Sequence, residues 1–171
     1  MINEKMENAI NEQMNWELYS SYLYFSMAAY FESVNLKGFS GWMRIQAMEE
    51  LTHVKRFYGF LTARGGRAIM SEIKAPPSEW ENPLAVFEET LKHEQHVTGR
   101  INDLVDLSLE LKDHATNSFL KWFVDEQVEE EESVDEVLQS LKLNKNNPGG
   151  LFMIDKELAA RTFVPPADVT L

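Results

Sequence analysis

Cysteine is absent from the 171 residues, which excludes disulfides and every thiolate-held metal site, structural zinc and iron–sulfur clusters included. Any metal must be held by oxygen and nitrogen. Basic residues are scarce as well: 16 Lys and Arg stand against 28 Asp and Glu, a formal net charge of −12. No basic stripe is available to neutralise phosphates, so no nucleic-acid partner is expected, and the acidic balance favours cations near the surface. Long apolar runs are missing too. The longest uncharged run near the start, Leu18 to Phe31, is too short to span a bilayer. Met1-Ile2-Asn3-Glu4-Lys5 lacks the basic start and apolar run of a secretory signal, so the expected location is cytoplasmic, with no membrane partner. The run from Leu18 to Phe31 reads instead as a helix buried on more than one side, with Tyr19, Tyr22, Leu23 and Tyr30 as candidates for a subunit interface.

What is present is helical. The length suits one domain over 1–171. Apolar periodicity predicts four long helices, roughly 4 to 34, 40 to 64, 83 to 110 and 114 to 143, and a shorter one near 149 to 160, followed by a tail over 161–171. Asn82-Pro83 supplies a capping side chain and a proline for the first helical position, Gly65-Gly66 is a stop after Arg64, and Asp113 is placed to cap the fourth helix. Asn147-Pro148-Gly149-Gly150 is a turn before the short helix, and Pro165-Pro166 ends regular structure. Short links make helices one and two, and three and four, antiparallel hairpins. The link over 65–82 is unusually long and carries Pro76 and Pro77. About 18 extended residues reach up to roughly 60 Å, whereas a 25-residue helix is about 38 Å long. The link can therefore run the length of the bundle and leave helices two and three parallel. The expected fold is an all-α four-helix bundle with one long crossover between helices 2 and 3 and a short fifth C-terminal helix.

Each long helix carries an apolar stripe interrupted by polar residues. Ile10, Met14, Glu17, Tyr24, Ala28 and Phe31 share one face; Met43, Ala47, Glu50, His53, Val54, Phe57 and Leu61 another. Phe87, Leu91, Glu94, Ile101 and Val105 form the third, and Phe119, Phe123, Gln127, Glu130, Val134, Val137 and Leu141 the fourth. A carboxylate facing a helical core costs several kcal/mol unless a partner compensates it. One such break fits a satisfied core polar group; four that can meet across four helices point to bound metal.

Carboxylates with one imidazole form a hard ligand set suited to iron or manganese. Glu50, with two oxygens, is the natural bridge between Glu17 and His53 on one side and Glu94 and Glu130 on the other. Two Fe(II) ions sharing it can each give an electron to one dioxygen. Di-iron carboxylate bundles use two Glu-x-x-His pairs, and here the second is replaced by Gln127-Val128-Glu129-Glu130. The weaker amide ligand implies a looser second position from which oxidised iron leaves. Glu131 and Glu132 read as a solvated face, whereas Glu126, Glu129 and Glu130 recur at steps of three and four and can form with Glu49 a third site. Tyr24 reads either as a core aromatic with a satisfied hydroxyl or as a hydrogen-bond partner of the ligands and one-electron donor. His93, His96 and His114 read as surface residues.

With these residues in view, the chain resembles the non-haem ferritins of bacteria and archaea over essentially its whole length. The resemblance is carried by the segment from Trp16 through Glu17 to Tyr24, Glu49-Glu50-Leu51-Thr52-His53, Glu94, the run from Trp122 to Glu131, and Phe152-Met153-Ile154-Asp155-Lys156-Glu157-Leu158. It implies a ferroxidase that oxidises Fe(II) with dioxygen or hydrogen peroxide and stores hydrated ferric oxide inside a homo-oligomeric hollow shell, usually of 24 subunits. By that resemblance Glu17, Glu50 and His53 hold the first iron, Glu50, Glu94 and Gln127 or Glu130 the second, and Glu49, Glu126, Glu129 and Glu130 the third. Bacterioferritins carry a haem-ligating methionine and a second Glu-x-x-His where this chain has Leu51 and Gln127 to Glu130, so no haem is expected. The acidic pair lining the threefold channel of animal ferritins would fall near Asn117 and Leu120, which argues against that iron path. A rubrerythrin-like diiron peroxidase is the competing enzyme reading, but such proteins usually add a cysteine-ligated iron domain. A purely structural helical shell would place apolar residues at Glu17, Glu50 and Glu94.

Overall fold

The structure, a computed structural model, describes residues 1–145 and 147–165. Five helices follow one another: α1 Glu4–Ser33, α2 Lys37–Ala63, α3 Pro83–Glu110, α4 His114–Leu143 and α5 Pro148–Leu158. There is no strand among the described residues. The paired prolines of the tail extend past that range, as Pro166 lies outside the described residues. No helix among the described residues is long and apolar enough to cross a membrane.

Local chemistry sets most boundaries. Asn82 Oδ1 accepts from Ala85 N at 3.0 Å with Pro83 behind it, and Asp113 Oδ1 accepts from Thr116 N at 3.1 Å. α1, α2 and α3 end alike: a residue in the left-handed region, Asn35, Gly65 or Lys112, lets the next N–H reach back five residues, as in Gly66 N to Leu61 O at 3.0 Å. One boundary differs from the sequence expectation by more than two residues. α2 starts at Lys37 rather than near 40, because its first N–H groups, on Gly38 and Phe39, donate to Asp155 Oδ1 at 2.8 and 3.1 Å. That cap comes from α5, more than a hundred residues away, and no local pattern announces it.

Residues 66–80 have no regular structure, and α1 ties them down. Asn11 donates to Arg67 O and accepts from Ile69 N, Asn15 donates to Glu72 O, Ser26 donates to Pro77 O at 2.5 Å, and Trp80 packs edge-on to Tyr30. The link thus travels the length of α1, and α3 starts beside the end of α1, where Phe87 meets Phe31 and Phe39. Helices α2 and α3 therefore run parallel.

The apolar core falls into two parts. Tyr24, Phe31, Phe39, Trp42, Phe87, Val134 and Leu138 fill one end, and Met6, Ile10, Phe57, Leu61, Ile101, Leu120 and Phe123 the other. Between them, on every long helix, lie the polar breaks. Leu23 faces this core with 2% of its surface exposed, so of the four interface candidates it is spent within its own bundle, while Tyr22 remains half exposed.

At the far end Arg64 donates through both terminal nitrogens to Asp113, at 3.0 and 3.1 Å, clamping the end of α2 to the start of α4. The guanidinium and the Thr116 hydrogen bonds outweigh burial and hold the Asp113 carboxyl below its ordinary range. A depressed carboxyl stabilises the fold above its unfolded value, near 3.9, and loses that contribution as pH falls through the folded value. Asp113→Asn should therefore cost about 2 kcal/mol at pH 7, and the gap to the parent in urea titrations should close below about pH 4.

Candidate metal centre

Burial isolates the polar layer. Glu17, Glu50 and His53 are each 1% exposed, Glu94 is fully buried, and Gln127 and Glu130 show 3% and 5%. His53 Nδ1 lies 3.2 Å from Glu50 Oε2 and 3.5 Å from Glu17 Oε2. Two groups of three among the described residues bring ligand-type atoms within 4.8 Å of one another: Glu17, Glu50 and His53, and His53, Glu126 and Glu130. Glu94 lies in the same layer but in neither group. Tyr24 donates to Glu94 Oε1, and Thr98 Oγ1 lies 3.1 Å from Gln127 Oε1 and 2.6 Å from Glu131 Oε1. Glu49 is bonded to Arg161, whose Nη2 donates to its Oε2 at 2.6 Å. Glu129 and Glu132 are exposed and Glu131 half-buried.

Three partners escaped the sequence reading. Gln13 donates to Glu17 Oε1 at 2.8 Å and itself accepts from Arg100 Nε at 3.0 Å, and Gln46 donates to Glu130 Oε2 at 2.5 Å. Both glutamines precede an inward glutamate by four residues on its own stripe, so the same break-in-the-stripe signal marks them. The histidine reading needs one correction. His93 is half-buried rather than on the surface, with Nε2 2.8 Å from Ser20 Oγ and Tyr24 edge-on to it, and burial lowers its pKa to about 4. His96 and His114 are exposed.

Charge is divided unevenly inside the layer. Burial opposes ionisation of Glu17, but the hydrogen bond and charge of His53 outweigh it and hold that carboxyl below its ordinary range. Burial, and then electrostatic repulsion from the neighbouring Glu17 and Glu94 carboxyls, drives Glu50 well above its ordinary value despite His53. Burial and then Glu130 push Glu94 up to about 8. For His53 burial is overcome by Glu17 and Glu50, and its pKa stands well above normal. Glu126 is raised, chiefly by burial, and Glu49 reaches about 7 by burial against the pull of Arg161. Tyr24, buried beside Glu94, is held firmly protonated.

Protonation alone does not complete the layer. Glu94 Oε2 is buried with no hydrogen-bond partner, and Glu17 Oε2, equally buried, has only the long 3.5 Å contact with His53 Nδ1. Oxygens left open in this way, around an imidazole and further carboxylates, suit a hard cation. Fold and site together define a four-helix bundle with a carboxylate–imidazole cluster sealed between two apolar cores.

The profile of the ferritin-like domain matches residues 7–144. A bacterial non-heme ferritin of Bacteroides fragilis is 42% identical over 161 residues, covering 94% of this chain and all of the relative. One from Staphylococcus saprophyticus is 41% identical, covering 95% of this chain and 98% of its own. Among solved structures, an open pore ferritin of the archaeon Archaeoglobus fulgidus superposes with a TM-score of 0.94 at 49% identity, over 95% of this chain and 100% of the other. Its engineered closed form gives 0.95 at 49% identity, over 96% and 100%. The chain belongs to the ferritin family.

Proposed function

We propose that the protein stores iron: it oxidises Fe(II) at a two-iron site within the bundle and keeps ferric oxide-hydroxide inside a hollow shell built from its own copies. The observation that carries this reading is the buried Glu17, Glu50 and His53 group, with ligand atoms within 4.8 Å of one another, beside a Glu94 Oε2 that has no hydrogen-bond partner. Glu17, Glu50 and His53 receive the first Fe(II). Glu94, with Glu50 and Gln127 or Glu130, receives the second, and Glu49, Glu126, Glu129 and Glu130 pass iron onward. Each Fe(II) gives up one electron, and dioxygen takes both with two protons to leave as hydrogen peroxide, so the balance closes. Tyr24, bonded to Glu94, positions that carboxylate and is a candidate one-electron donor. The open pore of the A. fulgidus ferritin, and its engineered closure by site-directed mutagenesis, support a hollow assembly for this chain as well.

Aerobic addition of Fe(II) to the purified, iron-free protein tests the reading. Rapid oxidation with many irons retained per subunit in a large particle is the expected result. Oxidation no faster than in protein-free buffer would overturn it, and oxidation that stops at two irons per subunit would replace storage with a fixed diiron cofactor.

Cation binding should also expel protons, since ligands must be deprotonated. At pH 7 a pKa of about 8 leaves Glu94 mostly protonated in the metal-free protein, and Glu50 and His53 are raised in the same direction. Loading with Zn(II) in weak buffer at pH 7 should therefore release protons, the one on Glu94 among them. As pH rises through 8 Glu94 is already ionised, so the yield should fall. A release that does not change between pH 7 and pH 9 would contradict this assignment.

A further inference from the structure

Arg161 stands four residues from the end of the described chain and has no place in the two-iron chemistry, yet it is held closely. Its guanidinium lies 4.6 Å over the ring of Trp42 on α2, and Nη2 donates to Glu49 Oε2 at 2.6 Å. Both side chains of the pair are about three-quarters buried. The last turn of α5 delivers it there. Asp155 fixes α5 to the start of α2, Ile154 is buried against the core, and the helix ends two residues before Arg161 at the cap residue Ala159. Arg161 is therefore brought to Glu49 by a docked element rather than by a free tail.

The charges around Glu49 explain why a cation belongs there. Glu126 and Glu130 lie within electrostatic range of it, and these two come together with His53 within 4.8 Å. The guanidinium nonetheless fits the position incompletely. Its Nη1 is buried with no acceptor, a standing cost for a donor removed from water.

We propose that Arg161 is a built-in counter-cation for the third site: it holds Glu49 while that site is empty and must swing away before Glu49 can join Glu126 and Glu130 around a metal ion. The inference rests on the proposed function, because it concerns the site that passes iron onward. Filling the site and releasing Arg161 are then one equilibrium, and linkage makes the competition reciprocal. Whatever weakens the Arg161 contact tightens the third cation, and whatever loads the third cation frees Arg161.

Zn(II), which undergoes no redox change, is the probe. Calorimetric titration of the metal-free protein, with anomalous diffraction to place the ions, should show the third Zn(II) bound about tenfold more tightly in Arg161→Gln than in the parent, and in Arg161→Lys by less. The two sites deeper in the bundle should be unchanged. The converse measurement needs no variant: phenylglyoxal modification of Arg161 in the parent, read by mass spectrometry, should accelerate when Zn(II) saturates all three sites and not when it fills only two. Equal third-site affinity in the parent and Arg161→Gln, or Arg161 reactivity indifferent to Zn(II), would overturn the counter-cation role while leaving the third site intact. No third ion in any of the proteins would overturn both together.

Discussion

Glu50→Gln should slow the aerobic oxidation of Fe(II) on the order of 100-fold, since even partners behind the ligands typically cost 10–100-fold, while the metal-free protein melts at the parental temperature or above it. The two effects have opposite signs because the same carboxyl serves opposite states. With iron present it is the proposed bridge, and an amide offers one neutral oxygen where the carboxylate offers two charged ones. Without metal it is a buried acid held well above its ordinary pKa. A raised carboxyl binds its proton more tightly in the fold than in the unfolded chain, so it destabilises the fold at neutral pH, and that penalty vanishes below about pH 4, where both states are protonated. Gln removes the penalty and keeps an oxygen for His53 Nδ1, now 3.2 Å from Glu50 Oε2. The thermal advantage of the variant should accordingly fade on acidification. Stopped-flow absorbance of ferric iron and melting curves at two pH values measure both halves. A variant that oxidises iron at the parental rate would remove Glu50 from the site.

Gly38→Ala should undock α5. A methyl group there would stand 1.6 Å from the carbonyl oxygen of Asp155 and 2.6 Å from its carbon, and backbone atoms have no rotamer by which to give way. α5 must move off the start of α2. Its departure exposes Ile154 and leaves the N–H groups of Gly38 and Phe39 without Asp155, a loss of about 3 kcal/mol from one buried aliphatic side chain and two hydrogen bonds. For a chain of this size that lowers the melting point by roughly 6–12 °C. If α5 opens as its own cooperative unit, hydrogen exchange should accelerate in residues 148–158 and stay slow in the four long helices. Gly59→Ala is the contrast: nothing lies within 4 Å of its added methyl group, and the better helix former should stabilise by about 0.5–1 kcal/mol. Uniform loss of protection throughout the bundle in Gly38→Ala would refute the idea that α5 comes away alone.

Legibility in the sequence followed the range of the forces involved. The four long helices, the capping by Asn82 and Asp113 and the course of the crossover were readable because periodicity, caps and chain length are local properties. The inward polar residues were readable for the same reason: each interrupts a stripe. What escaped depends on contacts distant along the chain. Asp155 capping α2, Arg161 bonded to Glu49 and Gln46 reaching Glu130 span 84 to 117 residues. His93 was misplaced because its own helix turns it away from Glu94, whereas Ser20 and Tyr24 of α1 close over it. The layer also divides differently from the simplest expectation, with His53 shared between two groups, whereas Tyr24 meets a predicted ligand, Glu94, as one of its two readings had it.

The arrangement of the chain as two hairpins joined by one long link carries a further meaning. Each hairpin contributes a lone glutamate from its first helix, Glu17 on α1 and Glu94 on α3, and a pair three residues apart from its second, Glu50 with His53 on α2 and Gln127 with Glu130 on α4. The layer thus has the plan of an approximate twofold axis, as if one half-bundle had been repeated and turned to face itself. Its chemistry breaks that symmetry, with an acid and an imidazole in one half and an amide and an acid in the other. A symmetric frame with unequal ends gives a paired cation site a polarity, and under the proposed function traffic through it would run from the imidazole half toward the amide half.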